Sequence, residues 1–442
     1  MVPARSHAVR RTAVVSVLLT LVLISVLSVC IMPSSSADPG DAAADGSISW
    51  IFISSILVFM MIPGVAFFYG GMLRKQSMTS LMAQSLVCMG ILGMVWFVCG
   101  YSLAFCGDGM IIGSLGELFM EGITESASGG AISDLEFATF QMMFAMLTAA
   151  LMVGAFAERV RFPAVCWFLL GWSLLVYVPM AHWVWGGGLF DQLFSVLDFA
   201  GGTVVHICAG ISGAAVVVYV GSRSDALRRA RSHNITLAYL GAMLLWIGWM
   251  GFNGGSGLFA DGQAVRAIVV TNVAAVVSMM TWAVVQYYVA GRVTVLGLIT
   301  GAIAGMVAIT PAAGYVELWT GMVFGPLAGA ICFFSVRKFH SMRRFDDALD
   351  VFAVHGVGGI LGAVLTGVFA TSRFASYDGL LYGGVDLFVG QIAAVAITLA
   401  YCFAVSYAII YVIGRLMKVR VDANEEAIGA DIAEHGEPAY CL

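Results

Sequence analysis

Charge is what this sequence has least of. Lys, Arg, Asp and Glu make up 11% of its 442 residues against 60% hydrophobic residues, and proline appears nine times. So little charge excludes a solvated surface of ordinary size, and nothing in it points to a nucleic-acid partner. The nine cysteines lie mostly within apolar segments and form no Cys-x-x-Cys pair. That excludes a disulfide framework and a zinc site built on such pairs, and leaves them as small hydrophobes. No long polar stretch interrupts the chain; the acidic loop 107–135 and the end from about 415 are its sizeable hydrophilic pieces.

What is present is a series of apolar runs near the roughly 20 residues a helix needs to cross a bilayer. The chain reads as an all-α polytopic membrane protein. Residues 1–37 read as a signal peptide: Arg5, Arg10 and Arg11 precede an apolar run from about Thr12 to Met32, and Ser35-Ser-Ala37 offers a cleavage site. The alternative is an uncleaved first span. Eleven transmembrane helices are then expected at 48–72, 79–106, 136–158, 163–182, 200–221, 235–255, 265–290, 297–315, 318–336, 351–371 and 386–414. The membrane domain is thus 38–414 and the C-terminal tail 415–442. Lys and Arg gather in alternate loops, among them Arg74/Lys75, Arg159/Arg161, Arg223/Arg228, Arg337/Lys338 and Arg415/Lys418, while the opposite loops keep Arg266 and Arg373. By the positive-inside rule the mature N-terminus is outside and the tail cytoplasmic. The 52 glycines, many inside spans, suit closely approaching helices and a compact bundle.

Two segments break the apolar pattern with ionisable residues, which are costly in a span and by default functional. Asp198-Phe-Ala-Gly-Gly-Thr-Val-Val-His206 opens one, Asp350-Val-Phe-Ala-Val-His355 the other, and both continue His-x3-Gly-x2-Gly. The expected topology runs them into the bilayer from opposite faces, as an inverted repeat would, with spans one to five and six to ten as the halves and the eleventh left over. Phe68-Tyr-Gly-Gly against Phe252-Asn-Gly-Gly is a weaker echo. Helical rise sets His206 about 12 Å beyond Asp198 and His355 about 7 to 8 Å beyond Asp350, which leaves a gap of about 10 Å in a layer of roughly 30 Å unless the helices begin below its surface. Each Asp suits a helix-start cap; Asp198 equally suits steering a cation inward. Paired neutral imidazoles can donate, accept and pass a proton. A zinc site would want three or four ligands, and neither histidine has such neighbours in sequence, so no metal and no cofactor is expected.

Aromatic residues cluster toward the outer side: Pro179-Met-Ala-His-Trp-Val-Trp185, Trp246-Ile-Gly-Trp249-Met-Gly-Phe252 with Ser256, and Phe140-Gln-Met-Met-Phe144. Single ones are ordinary interface residues; together they suit a cation-binding vestibule.

These motifs, with Phe68-Tyr-Gly-Gly-Met72, Gly154-Ala-Phe-Ala-Glu-Arg159, Ala308-Ile-Thr-Pro-Ala-Ala-Gly314 and Asp350-Val-Phe-Ala-Val-His-Gly356, resemble the ammonium transporters of the Amt/Mep/Rh superfamily, Amt branch. The resemblance implies a non-enzymatic carrier of ammonium or ammonia, an eleven-span homotrimer in the plasma membrane with a pore in each subunit. It implies an outer substrate site of Phe144, Trp185 and Ser256, with Asp198 ordering it. It places Phe252 and Phe140 beneath as a stacked gate, and His206 and His355 as twin pore histidines beside Trp249. Trp185 favours Amt over Rh; an extra residue between Trp185 and Asp198 departs from the family pattern. The ending Gly429-Ala-Asp431…His435-Gly-Glu-Pro-Ala-Tyr440 resembles the tail that contacts neighbouring subunits and, in prokaryotes, receives a PII-type signal protein. Read without the resemblance, it is a short, acidic, mobile end. An Rh-type passive ammonia channel, an ammonium sensor and an intramembrane metalloenzyme are the rival readings.

Overall fold

The computed structural model describes residues 39–125, 132–228 and 230–440. The expected signal peptide, 1–37, lies outside them, and the unit that carries the fold begins at Ala44. In chain order its principal helices are α1 (Asp45–Met72), α2 (Lys75–Phe105), α3 (Asp134–Phe156), α4 (Phe162–Trp185), α5 (Gly202–Val220), α6 (Ile235–Gly255), α7 (Gly262–Ala290), α8 (Val295–Ile309), α9 (Leu318–Ser341), α10 (Phe352–Phe369) and α11 (Val385–Leu416). All of these except α8 are long and apolar enough to cross a membrane, which makes ten such helices among the described residues.

The eighth span therefore differs from expectation. The helix read over 297–315 stops at Ile309, because Pro311 lacks an N–H and its ring would strike the preceding turn. Fifteen residues rise only about 22 Å. The turn after it is put to use: the carbonyl of Pro311 accepts from Phe199 N at 3.0 Å, beside the Asp198 segment.

α5 and α10 carry the two histidines, and each opens on a π-helical turn, Gly202–Ile207 and Phe352–Gly356. They run antiparallel. α5 ends, and α10 begins, at one polar cluster on the face that carries the tail: Arg159 Nη1 donates to the carbonyl of Gly221 (2.8 Å), and lies 3.5 Å from Asp346. Glycine sets their separation, since a Cβ on Gly210 of α5 would fall 2.5 Å from the backbone of Gly356 in α10.

The cluster on the tail face is a network. Glu158 accepts from Arg74 (2.9 Å) and Arg223 (2.7 Å), and Asp346 accepts two bonds of 2.9 Å from the Arg223 guanidinium. Burial alone would push both carboxylates up; Arg223, with Arg74 on Glu158 and Arg159 on Asp346, outweighs it and holds both below their ordinary values. Arg159 is wholly buried, and that burial brings it down to about 10 despite Asp346. A charge so placed is tolerable because it is paired with Asp346 and its two terminal nitrogens donate to the carbonyls of Gly221 and Ala155.

The tail is not a free end. Val421 N donates to Arg159 O and Arg161 N to Val419 O, an antiparallel bridge. A short helix, α12 (Ala423–Ile428), follows; Arg161 pairs with Glu425 and Glu434, and Asp431 Oδ1 accepts from Ser80 N (2.8 Å) at the start of α2. Tyr440 Oη lies 3.0 Å from His233 Nε2. The end expected to be mobile is thus held, Glu425 and Glu434 by Arg161, far away in sequence, and Asp431 by backbone.

Candidate functional site

Asp198 is buried, and its two oxygens accept from four successive backbone N–H groups: Gly201 (2.8 Å), Gly202 (2.7 Å), Thr203 (2.7 Å) and Val204 (3.3 Å). These are the unpaired donors of a helix start, and a carboxylate there also meets the positive end of the helix dipole. Gly201, at φ +103°, makes the turn that lets one side chain reach all four. Both lobes being committed, Asp198 acts here through the backbone.

At the other end the residue in that place is Asp347. Its oxygens accept from Val351 (3.0 Å), Phe352 (2.7 Å) and Ala353 (3.3 Å). Asp350, expected as the cap of this helix, is instead at φ +59° with its carboxylate 2.7 Å from His340 Nε2. Burial, then the neighbouring Asp350 carboxylate, push the Asp347 carboxyl up to about 7. The repeat is thus kept by spacing, eight residues from cap to histidine in both segments, and the match of letters around Asp350 misleads.

Because both caps are themselves buried, the two helices start inside the protein and the expected gap between the imidazoles is closed. His206 Nδ1 lies 3.3 Å from His355 Nδ1, with the rings stacked at 28° and 5.2 Å between centroids. His206 is wholly buried and its Nε2 has no partner. His355 lines a small cavity with Phe68, Tyr69 and Asp350. Phe68 therefore stands on the tail side of His355 much as Phe252 stands against His206, at 5.9 Å between centroids.

Beyond His206 aromatic rings follow one another in contact. Trp249 stacks on the imidazole (5.5 Å, 26°), held by its indole N–H to Thr310 Oγ1 (3.0 Å). Phe252 is stacked on Phe144 (4.4 Å, 19°), and Trp185 meets Phe144 edge-on at 6.0 Å. The stacked pair is thus Phe144 and Phe252, and Phe140 touches Phe144 edge-on at 4.9 Å. The order of the two is the reverse of expectation because α3 runs toward the tail face, so a residue four later lies about 6 Å closer to the histidines. Trp185 Nε1 donates to the carbonyl of Asp198 (2.8 Å), which fixes its ring over this column. Ser256 Oγ donates to Phe252 O (2.8 Å), so its proton is spent and its lone pairs are free to accept from an N–H cation.

Thr310, Asn253 and Thr271 had not been singled out from sequence. Asn253 Nδ2 donates to Thr271 (2.8 Å), and Thr310 Oγ1 lies 3.3 Å from Asn253 Oδ1, so the three tie α6, α7 and α8 behind Trp249. Their signal was visible as polar side chains in apolar runs. His182 is a buried tie, with Nδ1 2.8 Å from Ala104 O and Nε2 against Gly109 O. Among the described residues no group of three or more His, Cys, Asp or Glu is placed to hold a metal ion.

A column of aromatic faces ending on two apolar-sheathed imidazoles offers cation-π attraction at one end and proton exchange at the other. The sequence model of the Ammonium Transporter Family matches residues 49–440. The chain belongs to that family. Within the Ammonium Transporter Family it is 42% identical over 401 residues to an ammonium transporter of Bacillus subtilis, covering 89% of this chain and 98% of that one. It is 40% identical to ammonium transporter Amt1 of Archaeoglobus fulgidus, covering 90% and 100%. Among solved structures it resembles Candida albicans Mep2 (35% identity, 91% and 92% covered, TM-score 0.81) and a Sensor Amt Protein (27%, 89% and 99%, TM-score 0.83). Family and apolar helices together make it a multi-pass membrane protein of a transporter family.

Proposed function

We propose that this chain takes up ammonium across the plasma membrane, with its mature N-terminus outside and its tail in the cytoplasm. Eleven crossings are read by counting the short α8, whose following turn reaches Gln263 at the start of α7 through Gly314 O (3.3 Å). Ammonium and potassium carry the same charge at similar size, so attraction alone does not select. The cation is held outside by the faces of Trp185 and Phe144 and by the free lone pairs of Ser256. The Phe144–Phe252 stack admits no hydrated ion, and the nitrogen passes as ammonia after losing its proton. Potassium has no proton to lose.

The observation that carries this reading is the unbroken run of ring contacts Phe144, Phe252, His206, His355, whose last contact is a 3.3 Å approach of two ring nitrogens. That contact gives the abandoned proton a route, so net charge moves with each ammonia. Three subunits form the working assembly, and the tail face is offered to a PII-type signal protein. The rivals are a passive ammonia channel and a sensor, the latter favoured by the likeness to the Sensor Amt Protein.

The test is the current after an ammonium pulse onto proteoliposomes, beside a potassium pulse and beside His206→Ala and His355→Ala. A saturable ammonium current, absent with potassium and lost in either variant, is expected. A pH change inside the vesicles without current would replace this reading with the passive channel; neither signal would favour the sensor.

A further inference from the structure

His182 is wholly buried in the last turn of α4, three residues before Trp185, and both of its ring nitrogens face carbonyl oxygens. Nδ1 lies 2.8 Å from Ala104 O, and Nε2 lies against Gly109 O. A carbonyl oxygen only accepts, so each nitrogen must bring a proton, and a ring with two N–H groups is an imidazolium. In either neutral tautomer one bare nitrogen would press its lone pair on the oxygen opposite.

The surroundings suit such a charge. Ala104 stands in the last turn of α2, where carbonyls lack helical partners and the helix dipole favours a cation. His340 with Asp350 is the histidine–carboxylate ion pair among the described residues, so no carboxylate neutralises His182 directly. The titratable groups on the segments packed around this turn are Tyr101 and Cys106 at the end of α2, Asp108 in the loop that follows, Tyr177 on α4 itself, Asp191 on the short helix Leu189–Leu193, and Asp198 and His206 at the start of α5. Of these, Asp198 is committed to backbone.

Three donors from this stretch hold the same loop. Trp183 Nε1 donates to Ile111 O (2.8 Å) and Gln192 Nε2 to Asp108 O (3.2 Å), beside His182 on Gly109 O. The loop returns to α2 through Gly113 N, which donates to Leu103 O (2.8 Å). Gly186 brings the end of α4 close, since an added Cβ would fall 1.9 Å from Ala104 O. The end of α2, the loop and the last turn of α4 thus form one clamp, and of its three donors His182 alone changes its proton count near neutral pH.

We infer that His182 is a positioning residue of the outer ammonium site, an imidazolium whose two bonds fasten the turn that carries Trp185; for its effect on transport the inference rests on the function proposed above. As pH rises the ring gives one proton to water. Nδ1–H stays on the rigid helix end, Nε2 is left bare against Gly109 O, and the loop is the part free to retreat. The turn that carries Trp185 then loosens, and ammonium is held less tightly outside.

The experiment uses the full chain and His182→Asn, whose amide nitrogen takes the place of Nδ1 and leaves Gly109 O without a donor. In the wild-type protein in detergent, hydrogen exchange over residues 108–114, corrected for its intrinsic pH dependence, is expected to rise about tenfold from pH 6 to pH 9, the scale of one lost hydrogen bond to a charged group. In proteoliposomes the half-saturating concentration of ammonium ion should rise by a similar factor over that range. In His182→Asn it should stay at the alkaline value at every pH. A merely structural role would lower the variant's current and leave the pH slope of half-saturation as in wild type. Exchange over 108–114 that is the same at pH 6 and pH 9 overturns the inference whether or not the variant folds, and so does a wild-type half-saturation that is flat with pH; either leaves the proposed function standing. Absence of ammonium current in the wild-type protein, with the rise in exchange present, overturns the proposed function and leaves the doubly donating ring in place.

Discussion

Asp347 stands eight residues before His355, as Asp198 stands eight before His206, and each aspartate gathers the free N–H groups of the turn that carries its histidine. The pairing separates charge from hydrogen bonding in a testable way. Asn accepts from a helix start about as well as Asp, whereas Ala costs about 1 kcal/mol or more there. Asp347→Ala is therefore expected to lower the melting temperature in detergent at every pH. Asp347→Asn should behave differently. The native carboxyl at about 7 lies above its unfolded value, so the protonated form is favoured by folding, and its stabilising contribution is lost as pH rises from about 4 through 7. The Asn variant should match wild type at pH 4 to 5 and equal or exceed it at pH 8. A deficit at pH 8 would sink the assignment.

The arginine network on the tail face titrates the other way. Glu158 and Asp346 are held below their ordinary values, so their contribution is complete above about pH 4.5 and is lost as pH falls through the folded values. Melting curves from pH 7 down to 3 should decline at the acid end, and Glu158→Gln should be less stable at pH 7 with a flatter acid limb. An unchanged acid limb would show that the network does not stabilise the fold.

Gly210 faces the backbone of Gly356, and backbone cannot yield as a flexible side chain would. Gly210→Ala must push α5 from α10, which lengthens the contact between His206 and His355. Ammonium transport should fall about tenfold or more, ~1.4 kcal/mol in the barrier, with expression retained. Gly262→Ala, where an added Cβ meets nothing, is the control. Equal transport in both would mean the histidine contact tolerates separation.

Asp431 ties the tail to α2. Asp431→Ala removes an acceptor from the helix start, and about 1 kcal/mol of stability should go with it. Hydrogen exchange should rise at Ser80 and its neighbours ahead of the rest of α2. Exchange confined to the tail would mean the cap is dispensable.

Much of this was legible in the residues, for physical reasons. Span positions follow from apolar length, and the histidines announced themselves because ionisable groups are rare in such runs. Helix α8 was misjudged by weighing hydropathy over Pro311, whose missing donor ends the helix whatever the solvent. The second cap was misassigned because Asp350 resembles Asp198 in its neighbouring letters, while function depends on the distance along the turn. Phe140 and Phe144 share a helix face, so sequence cannot say which reaches Phe252; the direction of α3 decides it. The tail's docking depends on pairs such as Arg161 with Glu434 and Arg74 with the carbonyl of Glu426, hundreds of residues apart, and no local pattern encodes them.

The 3.3 Å approach of the two Nδ1 atoms has room for one hydrogen. A neutral pair must then be lopsided, one ring carrying its proton on Nδ1 and the other on Nε2. When a proton enters at one end and another leaves at the far end, each ring is left in the opposite tautomer. The pair now accepts from the side to which it has just given. On the proposed proton route the pair thus keeps a record of its last event, and it must be turned back before it can repeat it. On that route the ceiling of transport is set by this resetting, one proton at a time, rather than by how fast ammonium arrives.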